Sequence, residues 1–246
     1  MRGFWPLYKR ELFAMFVTPL AWVIIVAFLV TQGMHFTLLI SFFSRQAEIS
    51  ADNGPVQAFF GQTIFLYLPL LVLCPGLTMR LFAEERRSGT IETLLTAPVS
   101  TSAVVLAKYA ASLTTYVAMW APTLLYMVVL RRTGEIDWRV VASGYLGVLG
   151  VGSSYLAVGL LMSALTKSQL LALVLSTMVN LALFTLGIGD MMGDQGVLHA
   201  VAEHVSVWAQ MDDFSKGIID TRRLVYDVSV TAVPLLIARA HQVGQA

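Results

Sequence analysis

Six stretches of this sequence stay apolar for 15 to 24 residues: Leu20–Phe43, Phe59–Met79, Tyr109–Leu130, Val140–Met162, Leu170–Ile188 and Leu224–Ala238. A helix needs about 20 apolar residues to cross the hydrocarbon core of a bilayer, because each residue rises only about 1.5 Å. The runs take up roughly half of the chain, and nothing between them is long enough for a separate soluble domain. Composition agrees: 57% of residues are hydrophobic and 13% charged, against about 25% charged in a soluble domain. The expected fold is therefore an all-α integral membrane protein with six transmembrane helices. The first run starts late, is long and lacks a small-residue cleavage site, so it reads as a retained span and not a signal peptide. The sixth run is the shortest and contains Asp227 and Pro234; tilt, local thinning and snorkelling of Arg239 would let it span.

Charge narrows the partners. Sixteen Lys and Arg stand against fifteen Asp and Glu, a formal net charge of +1, which removes the basic footprint that nucleic-acid binding requires. In a six-span arrangement with both termini on one side, nine basic residues fall on the terminal side and seven on the other. The positive-inside rule then puts both termini in the cytoplasm and the chain in the cell's inner, cytoplasmic membrane. Cys74 is the single cysteine. It sits in an apolar run with no Cys or His at metal-ligand spacing, which reads as a buried, inert thiol.

Three stretches outside the spans carry information. Phe4, Leu7, Tyr8, Leu12, Met15 and Phe16 recur at roughly helical spacing, with Lys9, Arg10 and Glu11 between them. That pattern predicts an N-terminal amphipathic helix, residues 1–19, lying in the inner interface before Pro19 turns the chain into the bilayer. The inner loop Arg80–Lys108 opens with the charged cluster Glu84, Glu85, Arg86 and Arg87. Gly89 then stops the helix, Thr90 can cap a new one, and Glu92 favours its first turn. A short helix over Ile91–Thr96 has to end before Pro98. Its Ile91, Leu94 and Leu95 are apolar residues displayed to the cytoplasm, and such a display calls for a partner surface. In the outer segment Gly189–Arg223, Leu198, Val201, Ala202, Val205 and Trp208 fall at helical spacing. This predicts a short amphipathic or re-entrant helix packed against protein, since unpaired backbone cannot face lipid.

The inner loop resembles the signature of ABC-2 type transporter permeases, in which Glu-Glu, Gly-Thr, Glu and Leu-Leu-Thr-x-Pro follow one another between the second and third spans. The matching positions are Glu84, Glu85, Gly89, Thr90, Glu92, Leu94, Leu95, Thr96 and Pro98. Lys9-Arg10-Glu11-Leu12, the span count and the segment Asp213–Arg222 extend the resemblance over nearly the whole chain. It looks most similar to the gliding-motility branch, with the nitrous-oxide-reductase copper-maturation permeases second.

The resemblance implies that residues 91–96 are a coupling helix seated in a groove of a separate ABC ATPase subunit, with Glu84, Glu85, Arg86 and Arg87 as its charged flank. ATP and Mg would be bound by that partner. Two six-helix halves, from a second copy or a paralogue, would form a dimer, with an auxiliary extracytoplasmic subunit as a further partner. Outer helices of related permeases close the translocation path, which makes Val205, Trp208 and Met211 candidates for an external gate; packing, or an interfacial anchor at Trp208, is the alternative.

Catalysis by this chain is not expected. The sequence has no G-x-x-x-x-G-K-[ST], H-E-x-x-H, C-x-x-C or G-x-S-x-G motif, and its four histidines are scattered. Polar residues within and beside the spans must face protein or water. His35, Gln62, Asn180 and Asp227 are assigned either to helix contacts or to the lining of a path. Ser143, Gly147, Gly150, Ser154 and Ala157 on the fourth span let helices approach closely, for internal packing or for dimerisation. The leading function is the membrane half of an ATP-driven exporter. The alternative is an ATP-independent secondary transporter or channel, for which the sequence offers no convincing repeat and few intramembrane charges.

Overall fold

The computed structural model describes residues 3–45, 54–61, 63–90, 99–133, 135–188 and 204–243. Helix α1 (Phe4–Val17) and helix α2 (Pro19–Arg45) are separated by one residue, Thr18, which is extended. That break is what the following proline dictates, because its ring disfavours helical geometry in the residue before it. Thr18 donates its hydroxyl to the Met15 carbonyl at 2.9 Å, and Trp22 reaches back to the Phe16 carbonyl at 2.8 Å. The end of α1 is therefore satisfied by side chains at the corner.

The next apolar run divides where the sequence reads as one span. A short helix α3 (Pro55–Phe60) is followed by a break at Gly61 and by α4 (Ile64–Thr78). Gly61 exposes backbone that the buried Tyr67 hydroxyl satisfies, donating to the Gly61 carbonyl at 3.0 Å. A Cβ on Gly61 would lie 2.7 Å from the Gln57 carbonyl, so glycine is required at this turn. After α4 a tight turn leads into α5 (Ala83–Ser88), which ends at Gly89 in the left-handed region (φ 73°), the expected stop.

Helix α6 (Thr101–Trp120), capped by the Ser100 hydroxyl, passes through a single 3-10 turn at Ala121–Thr123 into α7 (Leu124–Thr133). Pro122 explains the tightening, since it has no N–H to donate. Helix α8 (Trp138–Leu165) starts at Asp137, whose carboxylate accepts from the Arg139 N–H at 2.8 Å. Helix α9 (Gln169–Ile188), the outer helix α10 (Val207–Ser215) and α11 (Thr221–Val243) complete the described chain. The 15-residue sixth run lies inside a 23-residue helix that continues through Pro234. Its polar ends lengthen it at both termini, so length no longer limits spanning.

Six helical stretches are long and apolar enough to cross a membrane: Pro19–Arg45, Pro55–Ser88, Thr101–Arg132, Trp138–Leu165, Gln169–Gly187 and Thr221–Val243. They are unequally placed. In α8, 72% of the apolar window is buried within the chain, against 28% for α9 and 17% for α11. Helix α8 is thus the axis on which the others pack, and its small residues are the reason. A Cβ at Gly144 would strike the Phe60 ring of α3, and one at Gly147 would strike Phe214 and Met211 of α10. Gly150 is filled by Asp227 of α11, Gly152 by Tyr116 of α6, and Gly159 by Thr78 of α4. Ser143 donates to the Phe214 carbonyl at 2.6 Å, and Ser154 and Ala157 are buried. The stripe is therefore used for packing within one chain.

Candidate coupling site

The elements meet at two ends of the bundle. At one end lie α1, α5, the start of α6 and the last turns of α8 and α11; at the other lie α3, α10 and the first turns of α8 and α11. Of the inner-loop motif, Glu84, Glu85, Arg86, Arg87, Gly89 and Thr90 are described, whereas Ile91, Glu92, Leu94, Leu95 and Pro98 lie outside the described residues.

What the described half does is hold three helices by charge. Lys108, on the buried face of α6, places its Nζ 2.8 Å from Glu85 Oε1 of α5 and 3.2 Å from Glu11 Oε1 of α1. Its side chain is only 2% exposed. Arg10 adds a second cation, 3.4 Å from Glu85 and 3.2 Å from Glu11. Beneath Lys108 the Phe82 ring centroid lies 5.1 Å from the ammonium, a contact that favours a desolvated cation. A buried lysine without such partners would be strongly unfavourable; here two carboxylates and a ring face share it.

Two further ties fix α5. Ser163, near the end of α8, accepts from the Phe82 and Ala83 N–H groups at 3.0 and 3.1 Å and donates to the Met79 carbonyl at 2.9 Å. One hydroxyl thereby satisfies three backbone groups of the turn between α4 and α5, groups that would otherwise be orphaned in a buried place. Arg86 meets His241 of α11 at 3.0 Å. Glu84 and Arg87 are exposed. Ser88 and Thr90 hydroxyls pair at 2.8 Å beside Gly89. The chain that leaves α5 toward residue 91 is thus anchored to α1, α6, α8 and α11 within a few residues.

Lys108, Glu11, Arg10 and Ser163 were not singled out by sequence reasoning as site residues. Each looks ordinary alone, a basic or acidic residue at a span border or a small residue in a span, and only the fold brings them together.

Of the other sequence-nominated residues, Val205, Trp208, Met211 and Asp227 lie toward the far end, on α10 and α11 or just before α10. Ser206 caps α10, accepting from the Ala209 N–H at 3.2 Å. Met211 is fully buried against Gly147 of α8. Trp208 stacks edgewise on Tyr67 of α4 with centroids 4.7 Å apart and lies 5.7 Å from Phe184 of α9; Val205 is half-buried just before the cap. Gln210, missed by the sequence reading, donates to Asp227 Oδ2 at 2.6 Å, and both side chains are buried. This pair ties α10 to α11. One turn away Arg223 sits 3.7 Å from Asp213, also between α10 and α11. Outside the spans, the hydrogen bond and charge of Asp212 hold the Lys216 ammonium above the usual lysine range.

His35 is sandwiched between the Phe59 and Phe65 rings at 5.2 and 5.8 Å. One turn earlier on α2, the wholly buried Gln32 donates to the Phe65 carbonyl at 3.2 Å. Asn180 is buried on α9 in line with Ala172, Ser176 and Phe184. Gln62 lies outside the described residues. Among the described residues no group of three or more His, Cys, Asp or Glu side chains could hold a metal ion, and Cys74 is fully buried.

A family model described as "ABC-2 family transporter protein" matches residues 36–209, more than half of the chain. No curated protein matches it.

Proposed function

The chain belongs to the ABC-2 family of transporter proteins, a multi-pass membrane protein and permease, and on that premise we propose that it is the permease subunit of an ATP-binding cassette exporter. In this reading a separate ATPase binds ATP and Mg, and its closure pushes on residues 91–98. Two permease halves, identical or paralogous, work as a dimer. The end that carries α1 and α5 faces the cytoplasm, and α1 lies at the inner membrane interface.

The observation that carries the reading is the sharing of Lys108 by Glu85 and Glu11. A push on the motif loop reaches α5 first. Because Glu85 is tied through Lys108 to α6 and Glu11, and Arg86 to α11, α5 cannot shift without carrying α1, α6 and α11. Ser163 passes the same displacement to α8, the packing axis. At the opposite end α8 and α11 hold α10 through Gly147, Ser143 and the Gln210–Asp227 bond. Rigid helices with discrete contacts at both ends are a physical route by which motion at one face reaches the other. Val205, Trp208 and Met211 would then act as the external gate, and Trp208 packed on Tyr67 and Phe184 is the closed arrangement of that gate.

Leu94→Asp tests the coupling step. The variant should insert normally and lose association with the ATPase, read by co-purification of the two chains from membranes. Undiminished association would refute the assignment of residues 91–96. Vesicle transport that requires ATP and the ATPase separates this reading from a secondary transporter, which an ion gradient alone would drive.

A further inference from the structure

A groove of about 250 Å³ runs along the outside of the bundle between the start of α6 and the end of α11. Its lining is apolar, from Val105 and Leu106 on α6 and Ala232, Leu235 and Leu236 on α11. Two polar side chains complete it, Ser102 and Arg239. Both belong to the end of the bundle that carries α1 and α5. Arg239 lies one turn from the end of α11 and is exposed.

Several of the other charges near that end are already engaged. Glu11 and Glu85 are held by Lys108 and Arg10, and Arg86 is turned to His241. Arg239 has no carboxylate within ion-pair distance among the described residues. An arginine at the border of a span, over an apolar channel that opens to the bilayer, matches one kind of molecule on both counts: an acyl chain for the channel and an anionic phosphate for the guanidinium.

We propose that this groove binds an anionic glycerophospholipid, one acyl chain lying between α6 and α11 and the phosphate on Arg239, with the Ser102 hydroxyl as a further donor. Leu236 and Leu106, both exposed, flank the chain. Because α11 is the span least buried by the rest of the protein, the lipid fills a seam that the chain itself leaves shallow. The assignment of this lipid to the cytoplasmic leaflet rests on the orientation proposed above; the binding itself does not.

The test uses the purified full-length chain in detergent, with dioleoyl-phosphatidylglycerol or dioleoyl-phosphatidylcholine added and thermal unfolding as the readout. Phosphatidylglycerol should raise the midpoint by about 3 °C or more, as ligation of the native state requires, and phosphatidylcholine should raise it less. Arg239→Gln should remove the difference between the two lipids. Ala232→Phe, which fills the channel, should remove the response to both. Native mass spectrometry should count one retained phosphatidylglycerol on the wild type and none on Ala232→Phe. Equal stabilisation by both lipids, or an Arg239→Gln variant that keeps the preference, overturns the proposal. An Ala232→Phe variant that falls from dimer to monomer in light scattering overturns it as well, assigning the groove to a second copy of the chain. Since no ATPase is present, failure here is distinct from failure of the coupling reading.

Discussion

Lys108 Nζ and Glu85 Oε1 are 2.8 Å apart although 23 residues separate them, and the lysine is almost wholly enclosed. With Glu11 at 3.2 Å on the same ammonium, the pair makes one cation common to α1, α5 and α6. Removing it leaves two largely buried carboxylates without their main counter-charge. Loss of one partner from a buried pair costs about 3–5 kcal/mol, and the slight exposure of Glu85 and Glu11 puts Lys108→Met near the lower figure. Thermal unfolding of the solubilised chain should show the loss, and Glu11→Gln combined with Lys108→Met should be less damaging than the sum of the two. An unchanged midpoint for Lys108→Met would show that the ion cluster contributes nothing to the fold.

Gly152 faces the Tyr116 ring, which a Cβ would overlap. The ring cannot step aside freely, because Tyr116 is fully buried and donates to the Val148 carbonyl at 2.9 Å. Gly152→Ala should therefore destabilise the bundle by about 1–3 kcal/mol, the usual cost of overpacking. Gly54→Ala is the control: nothing lies within 4 Å of its Cβ position, and its midpoint should stay near that of the wild type. Equal midpoints for the two variants would contradict the close approach of α6 and α8.

The spans were legible because burial in lipid or among helices demands long apolar runs, and the sixth, broken by Asp227 and Pro234, was the least legible of them. The stop at Gly89, where only a left-handed residue fits, was legible too. The division at Gly61 is marked by a glycine, but hydropathy alone reads through it. The small residues of α8 announced close contact without naming the neighbour, since Phe60, Met211, Phe214, Asp227, Tyr116 and Thr78 come from five different helices. Of the Lys108 cluster, Glu85 stood in the inner-loop motif and Arg10 and Glu11 in the N-terminal part of the resemblance, but their meeting on Lys108 was not legible. Its members are brought together by the packing of α1 on α6, which no local pattern encodes. Gln210 could have been found: Val207, Gln210, Met211 and Phe214 recur at helical spacing, and all four are buried, which places a polar group on the inner face of an otherwise apolar stripe.

Gln210 and Asp227 form a pair whose loss can be separated from ordinary packing. Gln210→Leu keeps a side chain of similar size in place but strips the carboxylate of its amide donor at 2.6 Å. An unsatisfied buried acceptor costs about 1–3 kcal/mol, so the variant should unfold at lower temperature than the wild type. Asp227→Asn keeps a hydrogen-bonding amide in the same space beside Gly150 and should lose less than Asp227→Ala. Should Gln210→Leu and Asp227→Ala lower the midpoint by amounts that add fully in the double variant, the two side chains are not energetically coupled, and α10 is held to α11 by something else.

The orientation can be read with the cysteine chemistry the chain leaves open. Cys74 is fully buried, so a membrane-impermeant maleimide should not label the wild type in intact cells or in lysed ones until it is denatured. In a Cys74→Ser background, Lys216→Cys probes the end that carries α10, where the native lysine side chain is 45% exposed. Arg87→Cys probes the opposite end, on the exposed side of α5. With the α5 end in the cytoplasm, intact cells should label Lys216→Cys alone, and lysis should add Arg87→Cys. The reverse pattern would put the motif loop outside the cell, out of reach of any cytosolic ATPase. In that case the anchoring of α5 by Lys108, Ser163 and His241 would still describe the fold, but it could no longer serve as the path by which ATP hydrolysis moves the spans.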